Sequence, residues 1–272
     1  MLPFVNATLP DRHETVEIMH DVFESVKTIR TLSFDFHSKE RIKGEISSNS
    51  SHITLTRQPY QLYLRETTPN DGLEVLFPHP QDPSQALVNP NGFPWMNLKL
   101  DPLGELMTKD QHHTVHMAGY DYMISVIEYN FNKYHDRLTE IVDHQGFIDW
   151  KGTKCHNITL NNTSFRFARY RTKPGESIHS IANERRLNAY MISEKNDRED
   201  ISKVLTPGTE LLIPSDYARK ITMYIDQKRN IPLMIRVYDD IGIFESYEFE
   251  NIEVNPRLSV EALNAKFVGY RF

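Results

Sequence analysis

His112, His113 and His116 lie close together in the chain, and imidazole is a common metal ligand. On a helix the i, i+4 pair His112 and His116 would share a face and could hold a transition metal. The zinc-protease pattern needs a glutamate directly after the first histidine, and here that place is taken by His113. The competing reading of the three histidines is an exposed polar turn. Two carboxylate pairs, Asp239 with Asp240 and Glu245 with Glu248, have the residue types of a glycosidase acid and base. Acids this close in sequence are also common on sheet edges, which is the reading we adopt. The sequence has no Gly-x-Ser-x-Gly elbow, no Gly-Lys-Ser/Thr phosphate loop and no dinucleotide fingerprint. No enzyme, no catalytic residue, no metal ligand and no cofactor is therefore expected.

Cys155 is the only cysteine, which excludes an intrachain disulfide and a cysteine-rich zinc site. With 31 basic against 37 acidic residues the net charge is −6, so the chain lacks the basic field that holds a phosphate backbone, and no nucleic-acid partner is expected. Mixed runs such as Lys195 to Asp200 read as solvated faces. No window has the roughly 18 consecutive apolar residues of a membrane span, so the chain is not expected to cross a bilayer as a helix. The opening Met1-Leu2-Pro3-Phe4 lacks the basic and apolar regions of a signal peptide. Asn49-Ser50-Ser51, Asn157-Ile158-Thr159 and Asn161-Asn162-Thr163 fit glycosylation sequons, triplets that also arise readily in polar loops.

The elements that would position these residues follow from hydrophobic spacing. Val16, Met19, Val22, Phe23, Val26 and Ile29 recur at helical intervals behind a capping box of Asp11 and Glu14, predicting a helix over 11–29. Alternation then takes over around Leu32 to Phe36, Ile42 to Ile46, Ile53 to Leu55, Tyr60 to Leu64 and Leu73 to Phe77, predicting an antiparallel meander. Asp101-Pro102 reads as a helix start, and a longer helix is predicted from Tyr120 to His144, ending before Gly146. Strands resume at 153–160, 165–171, 221–226, 233–239 and 243–252, with a turn at Tyr238 to Gly242. This order predicts an α+β fold whose curved sheet is covered by helices on one side and can enclose an apolar cavity. Phe34, Phe36, Leu62, Leu64, Val75 and Phe77 are expected to be ordinary core rather than pocket.

Between the two groups of strands run Tyr170 to Ile178, Ile181-Ala182, Leu187-Asn188, Met191-Ile192, Asn196, Leu205 to Gly208 and Leu211 to Pro214. Gly175 permits a turn, Ser177 caps a short helix, Ile178 and Ile181 pack inward, and Pro207-Gly208 turns into a closing strand. The order resembles a LysM domain over its whole length. The resemblance implies a small βααβ unit that binds N-acetylglucosamine-containing glycan, peptidoglycan or chitin-like. Its groove would be formed by Pro174, Gly175, Glu176 and Ser177 against Leu205, Thr206, Pro207 and Gly208, with Asn196 among the glycan-binding residues. Glu176 stands where the family usually has Asp.

The remaining chain resembles the LolA-like superfamily of envelope proteins, through Tyr60 to Leu64, Gly72 to Phe77, Ile231-Pro232, Tyr238 to Asp240 and Glu245 to Tyr247. That resemblance implies a half-open antiparallel barrel wrapped on helices, 1–168 plus 216–272, with the LysM-like insert at 169–215. It further implies binding of a lipid, lipoprotein or other apolar ligand, and a periplasmic or cell-envelope location. The combined expectation is a non-catalytic envelope binding protein. The alternatives are a protein-interaction scaffold without sugar affinity and, third, an envelope hydrolase.

Overall fold

Asp11 accepts the backbone N–H of Glu14 while Glu14 returns a bond to the Asp11 N–H, so the first helix, α1 (Arg12–Lys27), begins where the capping box places it. The computed structural model describes residues 9–259, 262–267 and 269–272, and the Met1 to Phe4 segment lies outside them. Met19, Val22, Phe23 and Val26 form the buried stripe of α1, and Phe23 meets Phe131 edge to face at 5.1 Å.

The meander runs β1 (Thr31–Ile42), β2 (Glu45–Arg57), β3 (Tyr60–Thr68), β4 (Glu74–Phe77), β5 (Ala86–Asn89) and β6 (Leu98–Leu100). The expected strand at Ile42 to Ile46 is instead the hairpin turn between β1 and β2. Lys43 and Gly44 both take positive φ, +51° and +85°, as the tight turn requires, so two short expected strands merge into long ones. The helix expected at Asp101-Pro102 shrinks to α2 (Glu105–Thr108), because the Asp101 carboxylate accepts the Leu103 N–H and closes a turn there.

The long helix expected over 120–144 is also shorter. It divides into α3 (Asp121–Lys133), a 3-10 turn at 135–137 and α4 (Leu138–Ile141), after which β7 (Val142–Trp150) begins. Leu138 and Ile141 keep helical spacing because α4 is helical, but Val142, Asp143 and His144 pair with Leu160, Thr159 and Ile158 of β8 (Thr153–Asn161). Gly146, at φ +115°, sits at the bulge in β7 rather than beyond a helix.

Next come β9 (Phe167–Arg171), α5 (Ile178–Arg185), α6 (Ala189–Lys195) and β10 (Glu210–Pro214). The chain closes with β11 (Lys220–Asp226), β12 (Pro232–Tyr238) and β13 (Ile243–Val254). Eleven strands form one antiparallel sheet in the order β6-β5-β4-β3-β2-β1-β13-β12-β11-β8-β7. Its two ends, β6 and β7, do not pair with each other, so the curved sheet is unclosed, and α1 and α3 pack into it. This is the α+β half-open architecture expected from the sequence.

β9 and β10 form a separate two-stranded sheet, and Ile178, Ile181, Leu187, Ile192, Leu211 and Ile213 make a separate apolar cluster around it. The Ser215 N–H donates to the Arg166 carbonyl at 2.8 Å, so the two ends of this βααβ unit leave the main sheet side by side. The unit is nonetheless tied to the larger body: Met191 of α6 packs into the main core, and the Tyr190 hydroxyl accepts the Lys43 N–H at 2.9 Å.

Candidate functional site

The inward face of β1 to β3 changes character along the strands. Register places Phe34 beside Ile53 and Ile53 beside Leu64, with Leu55 beside Leu62, and this end is apolar. Further along, Ser51 lies beside both Phe36 and Glu66, Ser38 beside Asn49, and Glu40 beside Ser47. A cavity of about 440 Å³ lies against this face, within the size range of small-molecule sites. Phe36, Leu62, Leu64 and Val75 line it, so four of the six residues expected to be ordinary core also face the cavity. Leu62 and Val75 are at the same time buried members of the packed clusters, as Phe34 and Phe77 are. The sheet curves away from the segment that covers it, which leaves space that alternation alone does not reveal.

The cover is the segment 104–119, which contributes Leu106, Met107, Val115 and Met117. Leu106 is 77% exposed overall although it also lines the cavity, which places it at the rim. Gly119 ends the segment in the left-handed region, φ +83°, where a Cβ would come within 3.0 Å of Leu55 Cδ2.

This cover is held down by a buried polar network that includes some of the residues expected to lie in exposed turns and at sheet edges, His112, His113 and Glu245. His112 is buried, not exposed. Its Nδ1 lies 2.9 Å from Glu245 Oε2, its Nε2 lies 3.0 Å from the Arg41 carbonyl, and its backbone N–H donates to Glu40 at 3.0 Å. Both ring nitrogens thus face acceptors, an arrangement that suits an imidazolium. The ring stacks on both Phe244 and Tyr190. His113 Nε2 is 3.3 Å from the same Glu245 oxygen, and His116 instead packs edge-on against Phe77. His112 and His116 therefore share no ligand face, since His112 lies in irregular chain and only Val115–Met117 form a 3-10 turn.

Glu245 is buried because β13 lies between β1 and β12, inside the sheet and not at its edge. Tyr217 donates to its Oε1 at 2.7 Å, and Tyr247 and Asn188 approach its Oε2 at 3.1 and 3.4 Å. Burial pushes this carboxyl up, but His113 and His112 beside it outweigh burial and hold it well below the usual carboxylate range. Burial lowers His112 while its bond to Glu245 and the Glu40 charge raise it, with a net upward shift. Burial, and then the Glu245 charge, drives the Tyr217 and Tyr247 hydroxyls well above their ordinary range. A carboxylate with this many donors is a weak base. Asp239, the other expected edge acid, is buried against Arg41, with Nη1 to Oδ1 at 3.2 Å, and its partner in sequence Asp240 faces Lys195. Glu248 lies outside the cluster, bonded to Lys151 at 2.7 Å.

Glu40, Glu245, Tyr247, Tyr217 and Asn188 were not anticipated as a group. The available signal was alternation: Phe34, Phe36, Ser38 and Glu40 share one face, as do Glu245, Tyr247 and Phe249. A second cleft, about 620 Å³, lies between the cover segment and the βααβ unit, where His179, Asn183 and Ser193 meet His113, Thr114 and Tyr122. Gln111, His113, Thr114 and Met117 line both spaces.

In the βααβ unit the two expected groove loops do come together. The Leu205 N–H donates to the Glu176 carbonyl at 2.8 Å, and the Gly208 N–H to the Thr172 carbonyl at 2.7 Å. Gly175 and Gly208 take φ of +82° and +84°, and Pro174, Thr206 and Pro207 are exposed. Glu176 folds back, accepting from the Tyr170 hydroxyl and the Lys173 N–H, both at 2.7 Å. Ser177 is buried and accepts the Ser180 N–H as the α5 cap. Asn196 bonds both ways to the Leu212 backbone at 2.8 Å, fastening α6 to β10, so its carboxamide is engaged within the unit.

No curated protein matches the chain. Among solved structures it is similar to the lipoprotein LppX of Mycobacterium tuberculosis, at 11% identity and a TM-score of 0.43 over 90% of this chain and 97% of that one. LprF of Mycobacterium bovis gives 11% identity and 0.43 over 92% and 97%. MucB, in its Pseudomonas aeruginosa complex with MucA, gives 8% and 0.42 over 93% of this chain and 61% of that one. Residues 30–173, from the start of the large sheet to the first strand of the βααβ unit, match the family described as protein of unknown function DUF1571, and the chain belongs to that family.

Proposed function

We propose that this chain is a non-catalytic binding protein that takes an apolar ligand, a lipid or the acyl part of a lipoprotein, into the cavity under the concave sheet. The observation that carries this reading is the 440 Å³ space walled by Phe36, Leu62, Leu64 and Val75 and covered by a segment with Leu106 at its rim. Apolar walls around a space of this size favour apolar occupants by removing their surface from water, roughly 25 cal/mol per Å². The saturated Glu245 network supports a binding role over a catalytic one, because its acceptors are already engaged in holding the cover. N-Phenylnaphthylamine, whose fluorescence rises in apolar surroundings, tests the reading directly. The protein is expected to enhance its emission, and Leu64→Trp, which pushes an indole into the space, is expected to reduce the enhancement without altering the thermal melt. Equal enhancement by both proteins would place the probe elsewhere and remove the cavity from the account.

The βααβ unit is, in this proposal, a LysM-like insert at 169–215 that binds N-acetylglucosamine-containing glycan through the loops 174–177 and 205–208. Support comes from the paired, glycine-turned loops with exposed Pro174, Thr206 and Pro207. Retention on insoluble peptidoglycan, reversed by soluble N-acetylglucosamine oligomers, is the expected result. Protein that stays in the supernatant would leave the unit as a protein-contact element. Together the two parts describe an envelope protein held to glycan while carrying an apolar cargo.

A further inference from the structure

The cavity is not uniformly apolar. Across β3 and β2 the inward residues pass from Leu64 and Ile53 to Glu66 and Ser51, and β1 turns polar one step later, from Phe36 beside Ser51 to Ser38 beside Asn49. Beyond this change lies a polar recess of about 90 Å³ shared with the cavity's end, where Glu40, Glu66, Asn49 and Asn70 converge. Both carboxylates are more than nine-tenths buried.

Burying a carboxylate is costly unless donors or a cation compensate. Glu40 has donors, accepting the Tyr247 hydroxyl at 2.8 Å and the His112 N–H at 3.0 Å. Glu66 accepts two bonds from Asn70, both at its Oε1, leaving Oε2 without a donor among the described residues. Neither acid forms an ion pair with a lysine or arginine among the described residues, and neither residue type lines the cavity or the recess there. Lys43, at the nearby hairpin turn, is engaged with Asp110 at 3.1 Å. His113 reaches the cavity wall but lies beside Glu245. Thr114, on the cover segment between the cavity and the second cleft, has a buried hydroxyl with no hydrogen-bond partner among the described residues.

We infer that the cavity takes an amphiphile whose head group donates hydrogen bonds and carries no negative charge, a hydroxyl-rich or amine-bearing head seated at the Ser38–Glu66 end. An anionic head, phosphate or carboxylate, would meet two buried acids with no cation to offset them. This rests on the proposed apolar site and names the class of ligand that the site selects.

The test holds the chain constant and varies the head. Dodecyl maltoside, dodecylamine and dodecanoate, each below its micelle concentration, compete with bound N-phenylnaphthylamine on the full-length protein. The maltoside or the amine is expected to displace the probe at concentrations about tenfold or more below dodecanoate, the scale of leaving buried polar groups mismatched. Glu66→Gln, which keeps size and removes charge, should narrow that gap, and Ser51→Ala carries the same comparison should the first variant not fold. A larger effect of Glu66→Gln on the amine than on the maltoside would identify charge, and an equal effect hydrogen bonding, as the basis of the preference. Dodecanoate competing as well as the other two, or a gap unchanged in both variants, overturns the inference while the apolar site stands. No binding of the headless probe at all would instead remove the apolar site itself.

Discussion

Glu245 gathers Tyr217, Tyr247, Asn188 and both His112 and His113 around one carboxylate, joining β13, the cover segment and the βααβ unit at a single point. Its consequence for pH follows from the two shifts. Glu245 is held below its ordinary 4.5, so its contribution is present above about that pH and is lost as pH falls toward the depressed folded value. His112 is raised above its ordinary 6.5, so its contribution is complete below that pH and is lost as pH rises through the raised folded value. Urea midpoints are therefore expected to peak between these limits and fall on both sides. His112→Ala should cost about 3–5 kcal/mol near neutrality, because it strands a buried charge, and should flatten the alkaline limb of that profile. A wild-type profile flat from acid to alkali would mean the network is not ionised as the geometry implies. These residues were poorly legible in sequence. His112 sits in an irregular segment with no period, and its partner Glu245 is 133 positions away, so nothing local joins them.

At the scale of elements, legibility followed the length of the periodic signal. β1 to β3 alternate over many residues with one face buried, which fixes both their existence and their facing. β5 and β6 are four and three residues long and flanked by prolines and turns, too short to establish a period. Helical spacing ran on past Lys133 because α4 continues it after a break, and only the ladder to β8 stops it at Val142. The cavity was illegible for a related reason: alternation tells which face a residue takes but not how far the covering element stands from it. Gly119 sets part of that distance. Gly119→Ala must accommodate a Cβ at 3.0 Å from Leu55 Cδ2 in a left-handed backbone, and should destabilise by about 1–3 kcal/mol. Because Gly119 itself lines the cavity, N-phenylnaphthylamine affinity should change with it. A variant as stable as wild type would show that the segment moves away at no cost.

For the whole molecule, the question is whether the βααβ unit is a passenger or part of the structure. Its own sheet, its own apolar cluster and its adjacent ends, joined at Ser215 and Arg166, are features of a removable insertion. Its α6 face argues the other way. Met191 is fully part of the main core, Tyr190 stacks on His112, and Asn188 donates to both Tyr217 and Glu245. Removing the unit would open the wall on which Gln111, His113, Thr114 and Met117 separate the two spaces. Replacing 169–215 by a short linker is therefore expected to do more than delete the proposed glycan contact. The urea midpoint should fall, hydrogen exchange should quicken across the cover segment 104–119, and probe affinity should weaken, because the cover loses one side of its support. Asn188→Ala together with Met191→Ala should reproduce the faster exchange of that segment while leaving the loops 174–177 and 205–208 in place. If the shortened protein instead keeps its midpoint, its exchange pattern and its probe affinity, the two parts are energetically separate, and glycan at one would have no route by which to influence cargo at the other.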